Sequence, residues 1–291
     1  MVQISVVIPA YNEAACIKDV LEKLTQFLQE KNIPASIIVV DDGSEDGTAA
    51  EAKSVSGVKV IKHAENRGYG AALKTGIRAA ETEWVLSYDA DSQHTPDLLP
   101  ALVAQLSDEV DMVVGKREGY KGPLLRQPGK LLLSWVVNFL TDTKVPDFNS
   151  GLRAFRRSVF LQYMHLFPNT FSLSTTSTVC FLKEGKNVRF VPIIIQPRNG
   201  KSTVRARDAA RTFMLILRLI MLFSPLRIFL PLCVLVGLTS LGLLGYELVV
   251  HHNVSDGVVM LMSLTATLFF FGLISDQVAA VRRELRVKSD N

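Results

Sequence analysis

The sequence predicts an α/β fold with a mostly parallel sheet, followed by a two-helix transmembrane hairpin. In the first part of the chain, short runs rich in β-branched residues alternate with helical patterns, which is typical of βαβ units. Two long apolar runs follow, at residues 228–250 and 258–281. Each has the roughly 20 residues that an α-helix needs to cross a bilayer.

Five strands and four helices follow from this alternation. A sheet of this kind binds its ligands beyond the carboxyl ends of its strands. Polar clusters stand at the ends of the first four strands, "PAYNE", "DDGS", "NRGYG" and "DADSQ", so we expect the functional site there. The predicted strands are residues 4–8, 37–40, 58–61, 84–88 and 112–115, and the predicted helices are residues 14–31, 47–54, 69–80 and 96–106.

Composition and charge argue against several classes of protein. The formal net charge of the 291 residues is only +4, so global charge does not favour a nucleic-acid partner. The three cysteines, Cys16, Cys180 and Cys233, have neither metal-site nor disulfide spacing, which indicates reduced thiols. The first residues, "MVQISVVIPAYNE", lack a basic segment before the apolar run and do not resemble a signal peptide.

The apolar C-terminal part predicts an integral membrane protein. The link at residues 251–257 contains no Lys or Arg. Because positively charged flanks stay on the cytoplasmic side, we expect the large N-terminal domain in the cytoplasm. Glycines in the first apolar run allow close helix packing and a homo-oligomer. The flanking basic residues are Arg211, Arg218, Arg227, Arg282, Arg283, Arg286 and Lys288, and the glycines are Gly237, Gly242 and Gly245.

Residues 211–227 are apolar with arginines at intervals and a break at Ser224–Pro225. We interpret them as an amphipathic helix lying along the membrane surface; the alternative is that they begin the first transmembrane helix. The predicted organisation is a domain at residues 1–210, an interfacial helix at 211–227, a hairpin at 228–281 and a basic cytoplasmic tail at 282–291.

The "DADSQ" cluster predicts a divalent-metal site. In extended chain Asp89, Asp91 and Gln93 point to the same side, directly after an apolar strand. Mg²⁺ or Mn²⁺ prefers such oxygen ligands and keeps coordination positions for phosphate oxygens. The ion would act as the Lewis acid for a departing nucleoside diphosphate. An isolated DxD is usually a solvated loop, but this one adjoins other polar clusters at the ligand edge.

Two further clusters have both a structural and a functional interpretation. "VVDDGSEDGT" reads as a turn with Thr48 capping a helix, while Asp41 at the strand end can accept hydrogen bonds from a nucleobase. "NRGYG" places Gly68 and Gly70 at a helix N-terminus, where unpaired N–H groups favour an anion. Basic residues after the later strands are individually ordinary surface residues, but as a group they could hold a second anionic substrate.

The ordered segments "VVIPAYNEA", "VVDDGSEDGT", "NRGYGAALKTGI", "DADSQHTP", "VVGKR" and "DFNSGLRAFRR" resemble those of family 2 glycosyltransferases. More narrowly, the chain resembles the dolichol-phosphate mannosyltransferase-like branch, which includes bacterial polyprenyl-phosphate glycosyltransferases. The resemblance covers about residues 4–205. It implies a GT-A fold for the catalytic domain, a nucleotide-sugar donor, a divalent cation and inversion at the anomeric carbon.

The resemblance also implies roles for residues by position. The nucleotide-sugar would contact Pro9, Tyr11, Glu13, Asp41, Asp42, Asp89, Ala90, Arg198 and Lys201. The metal ligands would be Asp89, Asp91 and Gln93, and the acceptor phosphate would meet Arg117, Arg126, Lys130 and Ser134. Asp89, Asp91 and Arg117 are the expected catalytic residues.

The chain departs from the family pattern at two positions. Lys130 stands where relatives usually have Arg, which keeps the charge but loses the bidentate fork. Relatives often carry a Glu between "SGLR" and "RxxGKS", whereas "FSLSTTSTVCFLKEG" offers only hydroxyls until Glu184. The "QxxRW" signature of processive synthases is absent from the sequence, so we expect one sugar per turnover.

The expected activity is transfer from a UDP- or GDP-sugar to undecaprenyl or dolichyl phosphate. Such an acceptor is already an oxyanion at about pH 7, so the chemistry reduces to positioning and charge neutralisation. One alternative is a neutral lipid acceptor, which would need a general base, with Asp147 as the candidate. The other is a non-catalytic membrane partner that binds nucleotide sugar.

Overall fold

The computed structural model of the protein describes residues 2–90, 94–118, 127–195 and 206–284. The chain forms two compact units, Met1–Ala209 and Ala210–Asn291. This division falls close to the predicted end of the first domain at residue 210.

The first unit is an α/β layer structure around one sheet. Short 3₁₀ turns occupy Pro96–Leu98 and Met164–Leu166. The strands are β1 (Ile4–Ala10), β2 (Ala35–Asp41), β3 (Val58–Lys62), β4 (Trp84–Ser87), β5 (Met112–Arg117), β6 (Arg153–Arg156) and β7 (Val188–Ile193). The helices are α1 (Ile17–Glu30), α2 (Thr48–Lys53), α3 (Tyr69–Ala79), α4 (Leu99–Val103), α5 (Gln127–Thr141), α6 (Arg157–Tyr163) and α7 (Leu173–Lys183).

The sheet has the strand order β3-β2-β1-β4-β6-β5-β7. Strands β1, β2, β3 and β4 pair in parallel, as do β5 and β7, whereas β6 is antiparallel to both of its neighbours. The carboxyl ends of the parallel strands and the amino end of β6 therefore lie at the same side of the sheet. We call this side the ligand edge. The predicted mostly parallel α/β fold is confirmed.

The complete burial of β1 and β4 explains why these two strands could be predicted from the sequence. Every residue of β1 and of β4 is buried, because helices cover both faces, and such strands read as continuous apolar runs. Helix α3 lies so close to β1 that a Cβ on Gly76 would stand 2.2 Å from Val7 Cγ1. The predicted helix at residues 96–106 is shorter, since a 3₁₀ turn precedes α4, which ends at Val103.

The second unit consists of helices α8 (Ala206–Phe223), α9 (Leu226–Val250) and α10 (Asp256–Glu284). By length and composition, α9 and residues Asp256–Arg283 of α10 could each cross a membrane. They form a hairpin in which Phe229 and Phe271 pack with ring centroids 5.8 Å apart.

Many apolar side chains of this hairpin face outward. Val249 is 75% exposed and Met260 is 73% exposed, a pattern that suits lipid rather than water as the surrounding medium. Helix α8 ends at Phe223, before Ser224–Pro225, and is separate from the first candidate membrane-spanning helix, which takes in the last two residues of the 211–227 range, Leu226 and Arg227. The position of residues 211–227 along the membrane surface stays a prediction.

Candidate active site

The loops after β1 and β2 are tied to each other by hydrogen bonds. The Asn12 amide donates to Ser44 Oγ at 2.9 Å, and the Glu13 amide donates to Thr48 Oγ1 at 2.9 Å. In return, the Glu45 amide donates to Asn12 Oδ1 at 3.2 Å. Because each loop satisfies backbone groups of the other, the two motifs form one preorganised wall of the ligand edge.

The predicted cap of α2 by Thr48 is wrong. Gly47 is the N-cap, with φ at 87° in the left-handed region that favours glycine. Thr48 is the first helical residue, and its hydroxyl donates to Asp46 Oδ1 at 2.5 Å while accepting from the Glu13 amide. Thr48 therefore links the loops that follow β1 and β2 and does not cap α2.

Asp41, the predicted nucleobase contact, is fully buried. One carboxylate oxygen, Oδ1, accepts from the Ser44 amide at 3.0 Å. The other, Oδ2, lies 3.6 Å from Lys62 Nζ and has no hydrogen-bond partner within the described residues. A buried carboxylate oxygen without a hydrogen bond is costly, and an N–H donor from a base would satisfy it. The carboxylate is closed to solvent in this structure.

Asp42, also predicted to contact the donor, instead organises the loop before α3. Its Oδ1 accepts from His63 Nδ1 at 2.7 Å and from the Arg67 amide at 3.0 Å, and its Oδ2 accepts from the Gly68 amide at 2.7 Å. The N–H of Gly70 donates to the Asn169 carbonyl at 2.9 Å. The anion expected at this helix N-terminus is therefore the protein's own Asp42. Its contact with a donor stays a prediction.

The remaining donor-side residues differ in accessibility. Pro9 is buried within β1, whereas Tyr11 is 45% exposed and available for stacking on a base. Glu13 accepts from Cys16 Sγ at 3.1 Å, and the same thiol donates to the Ala90 carbonyl at 3.4 Å. Cys16 thus connects the first loop with the chain after β4.

Asp89 is the second residue after β4 and lies at the ligand edge. Its Oδ1 accepts from the Tyr69 hydroxyl at 3.2 Å, and its Oδ2 lies 3.6 Å from His94 Nδ1. A Cβ on Gly151, before β6, would stand 2.1 Å from Oδ2, so a side chain at this position would displace the Asp89 carboxylate. Three separate chain segments therefore surround a carboxylate whose side chain is 26% exposed.

Sequence reasoning missed two of these neighbours. His94 is buried, and its Nδ1 has no hydrogen-bond partner within the described residues. Tyr69 lies in "NRGYG", where only the glycines carried a recognisable signal. Its adjacency to Asp89 arises from the parallel pairing of β1 with β4, which no local pattern encodes.

Arg117, the predicted acceptor-phosphate residue, forms a two-point ion pair at the end of β5. Its Nε donates to Asp147 Oδ2 at 2.8 Å and its Nη2 donates to Asp147 Oδ1 at 3.0 Å. Burial alone would raise the pKa of Asp147, but the hydrogen bonds and charge of Arg117 hold it below its ordinary value near 3.8. Asp147 is therefore ionised at neutral pH and holds the guanidinium in a fixed orientation.

The hydroxyl-rich segment that replaces the family's glutamate is helix α7, and its hydroxyls receive a buried arginine. Arg153 is 0% exposed. Its Nη1 donates to the Ser174 carbonyl at 2.8 Å and to Thr178 Oγ1 at 3.1 Å, while its Nε donates to the Ser150 carbonyl at 2.9 Å. Burial lowers the pKa of Arg153 to about 10, so the side chain remains charged at neutral pH next to the loop of Asp147 and Gly151.

Helix α5 carries the other described acceptor candidates. Lys130 and Ser134 are one turn apart and lie on the same side of the helix. The adjoining face is apolar and exposed: Leu131 is 69% exposed and Trp135 is 60% exposed, with the Trp135 ring stacked 5.5 Å from that of Phe139. A cation and a hydroxyl beside an uncovered apolar stripe suit an amphiphilic partner.

Five predicted site residues lie outside the described parts of the chain, namely Asp91, Gln93, Arg126, Arg198 and Lys201. Among the described residues, no three His, Cys, Asp or Glu side chains come together as a metal-binding group. Asp89 is the one described member of the predicted metal set. It fits the role in chemistry and exposure, because it is a partly exposed carboxylate whose oxygens each accept more than one partner.

Comparison with protein families decides the class of the first unit. The sequence pattern of glycosyl transferase family 2 matches residues 5–164, which is more than half of the chain. The protein belongs to glycosyl transferase family 2. A second pattern, the GtrB C-terminal hairpin, matches residues 224–281, the region of α9 and α10. The predicted family is confirmed, and the matched hairpin indicates membrane association.

Relatives of this family 2 protein include three with informative coverage. The uncharacterized protein MJ1222 of Methanocaldococcus jannaschii is 34% identical over 66% of the chain and 80% of its own length. The UDP-N-acetylglucosamine–dolichyl-phosphate N-acetylglucosaminyltransferase of Methanococcus voltae is 35% identical over 53% of the chain and 70% of its own length. The undecaprenyl-phosphate 4-deoxy-4-formamido-L-arabinose transferase of Aeromonas hydrophila is 32% identical over 54% of the chain, but the match spans only 49% of that protein.

Solved structures agree on the fold. Mannosyl-3-phosphoglycerate synthase from Rubrobacter xylanophilus matches with a TM-score of 0.60 at 20% identity, over 75% of this chain and 72% of its own. Glucosyl-3-phosphoglycerate synthase from Mycobacterium tuberculosis, crystallised with Mn²⁺, UDP and glucosyl-3-phosphoglycerate, matches with a TM-score of 0.59 at 21% identity, over 75% and 78%. At these identities the likeness establishes the glycosyltransferase fold alone.

Proposed function

We propose that the protein transfers one sugar from a UDP- or GDP-sugar to a polyprenyl phosphate, undecaprenyl or dolichyl phosphate, with inversion at the anomeric carbon. The observation that carries this proposal is the union, in one chain, of a family 2 sheet and a hairpin of the GtrB type. Relatives named for undecaprenyl-phosphate and dolichyl-phosphate acceptors support the same acceptor class.

The donor is assigned to the half of the ligand edge formed by the ends of β1, β2 and β4. The exposed ring of Tyr11 would stack on the base. The buried Asp41 Oδ2, which has no hydrogen-bond partner within the described residues, would accept a hydrogen bond from an N–H group of the base. Asp89, with Asp91 and Gln93, would hold Mg²⁺ or Mn²⁺. Such an ion, when bound, supplies positive charge to the diphosphate leaving group.

The acceptor is assigned to the other half, at the ends of β5 and α5. Arg117, oriented by Asp147, would meet the acceptor phosphate, together with Lys130 and Ser134. The exposed stripe of Leu131, Trp135 and Phe139 would contact the lipid chain or the bilayer surface. An arrangement of cation beside apolar surface matches a phosphate attached to a hydrocarbon.

The reaction follows from the charge of the acceptor. A phosphate oxygen attacks the anomeric carbon, forming the new C–O bond while the bond to the nucleoside diphosphate breaks. A phosphate monoester is anionic at about pH 7, so no proton has to be removed. Arg117 and Asp89 then act by orientation and electrostatics, which agrees with the ion pair that keeps Asp147 ionised and bound to Arg117.

The alternative of a neutral hydroxyl acceptor is disfavoured by the environment of Asp147. A general base works best when its pKa lies near the operating pH, whereas the Arg117 ion pair lowers the pKa of Asp147. Asp147 is also occupied at both oxygens by Arg117. We therefore assign it to orienting the arginine.

The catalytic unit is proposed to face the cytoplasm, where nucleotide sugars are made. The positive residues flanking the hairpin, Arg227 before it and Arg282 and Arg283 after it, support this orientation by the positive-inside rule. Association of the chain into a homo-oligomer, through close packing at the glycines of α9, is also part of the proposal.

The proposal is tested with membranes containing the full chain, a panel of radiolabelled UDP- and GDP-sugars, and polyprenyl phosphate. We expect one donor to give an organic-extractable labelled lipid with Mn²⁺ or Mg²⁺, and no product after EDTA treatment. The Asp89→Asn protein in the same membranes is the matched control for other transferases. Absence of a lipid product with every donor, while the purified protein still binds one of them, would contradict the assigned acceptor.

A further inference from the structure

Tyr69, the first residue of α3, has a polar contact that the activity described above does not use. Its hydroxyl donates to Asp89 Oδ1 at 3.2 Å and lies 3.3 Å from Ser87 Oγ. The ring stacks on Phe171 with centroids 4.8 Å apart and an interplanar angle of 18°. A phenylalanine at position 69 could keep that stack, so packing alone does not account for the hydroxyl.

The backbone before Tyr69 is held by a second carboxylate, that of Asp42. Asp42 accepts from the Gly68 amide at 2.7 Å and the Asn169 carbonyl accepts from the Gly70 amide at 2.9 Å. The residues on either side of Tyr69 are thus anchored. The hydroxyl reaches Asp89 from a rigid support, as a useful outer contact to a ligand must.

The opposite side of Asp89 is closed by backbone. Gly151 leaves no room for a Cβ beside Oδ2, and His94 Nδ1 stands 3.6 Å from the same oxygen. The Gly151 backbone therefore lies beside one carboxylate oxygen of Asp89, and the Tyr69 hydroxyl contacts the other.

We propose that Tyr69 is a positioning residue whose hydroxyl orients the Asp89 carboxylate toward the divalent cation that accompanies the nucleotide. The inference rests on the proposed function, because it assumes that Asp89 meets such a cation. It connects two motifs that the sequence keeps apart: "DDGS", through Asp42, fixes the start of α3, and α3 fixes the first carboxylate of "DADSQ".

The test measures Mn²⁺ binding to the purified full chain with UDP or GDP and without acceptor, by electron paramagnetic resonance of free Mn²⁺. Loss of such an outer contact typically weakens metal affinity about 10–100-fold. We expect Tyr69→Phe to weaken Mn²⁺ binding by about 10-fold or more, with an unchanged melting temperature without metal. In the transfer assay, the Mn²⁺ concentration for half-maximal activity rises while the acceptor KM stays unchanged.

Two further variants separate orientation from packing. Phe171→Leu removes the ring stack and keeps the hydroxyl, and we expect wild-type Mn²⁺ affinity. Gly151→Ala presses on Asp89 from the other side, and we expect weakened Mn²⁺ binding although Tyr69 is intact; this variant also serves if Tyr69→Phe does not fold.

Wild-type Mn²⁺ affinity in folded Tyr69→Phe or in folded Gly151→Ala would overturn the inference, as would an equal loss in Phe171→Leu. The proposed function fails in a different way. If the wild-type chain binds no Mn²⁺ with either nucleotide, the proposed metal site itself is contradicted. If the wild-type chain binds Mn²⁺ and the folded Tyr69→Phe chain binds it equally well, the proposed metal site is retained and only the role of Tyr69 is contradicted.

Discussion

The two halves of the ligand edge are built differently. On the donor half, loop amides and side chains satisfy one another: the Asn12 amide meets Ser44, the Glu13 amide meets Thr48, and Asp42 holds the loop before α3. On the acceptor half, one ion pair between Arg117 and Asp147 adjoins a helix whose Trp135 is 60% exposed. One half is closed and polar, and the other combines charge with uncovered apolar surface.

The difference is what two substrates of opposite solubility, as proposed for this protein, would require. A nucleotide is polar throughout, so a preorganised polar wall loses little entropy on binding it. A polyprenyl phosphate has a charged head and an apolar chain, which only a surface with both characters can contact. The donor half is therefore expected to resemble other family 2 enzymes, and the acceptor half to determine which second substrate is used.

Replacing Asp89 should have the largest effect, because it removes the one described carboxylate of the proposed metal site in the donor half. Asp89→Asn is expected to lower kcat by about 10²–10³-fold, the usual cost of losing one electrostatic contact in a transition state, with a nearly unchanged melting temperature. Transfer of radiolabelled sugar measures the loss. The matched control is Asp97→Asn, which changes an exposed carboxylate in the 3₁₀ turn before α4. Equal activity of the two variants would contradict a role for Asp89 in the site.

Replacing Arg117 tests whether the acceptor half is separate from the donor half. Arg117→Lys keeps the charge but loses the two-point contact with Asp147. We expect kcat/KM for polyprenyl phosphate to fall by roughly 10-fold, with the donor KM within about twofold of wild type. Arg189→Lys, at a partly exposed surface arginine, should change neither. A larger effect on donor KM than on acceptor use would place Arg117 in the donor half.

Removing the apolar stripe tests whether α5 contacts lipid. Full burial of a large apolar side chain is worth about 1.5–3 kcal/mol, so Trp135→Ser should raise the KM for long-chain polyprenyl phosphate in vesicles by roughly 10-fold. Activity on a short, water-soluble prenyl phosphate should be unaffected. Val2→Ser changes an exposed apolar residue before β1, at the other side of the sheet, and serves as control. Equal losses with both acceptors would point to a packing role for Trp135.

The smallest expected effect is the pH dependence of the Arg117–Asp147 pair. Because Asp147 has a lowered pKa, its contribution to stability is present above its ordinary value near 3.8 and is lost as the pH falls through the lower folded value. The melting temperatures of wild type and Asp147→Asn should therefore differ by a constant amount between about pH 7 and pH 5. A difference that already shrinks in that range would mean that Asp147 is not held ionised by Arg117.

The sequence was sufficient for the parts of the fold that depend on local pattern. The apolar runs of β1 and β4 and the long helices α9 and α10 were all identifiable, because their hydrophobic pattern is continuous. Strands β6 and β7 were not predicted. The four residues of β6, "RAFR", read as polar because two of them are arginines. The burial of Arg153 depends on the Ser150 carbonyl and on carbonyl and hydroxyl groups of α7, which the local sequence does not reveal.

The site was predictable only as far as it depends on residue type. The carboxylates of "DDGS" and "DADSQ" indicated anion and metal chemistry, but not that Asp42 would bind its own chain through Gly68. Contacts such as Tyr69 with Asp89, or Gly151 against the same carboxylate, join residues far apart in sequence. They follow from strand order, which a single sequence does not contain.

The most direct test offers the purified full chain one polyprenol in two forms, as the phosphate and as the free alcohol, with the donor identified in the panel and Mn²⁺. Labelled lipid and released nucleoside diphosphate are both measured. We predict equal amounts of the two products with the phosphate and neither product with the alcohol, since Asp147 is not a base. Transfer to the alcohol at a comparable rate would contradict a phosphate acceptor held by Arg117.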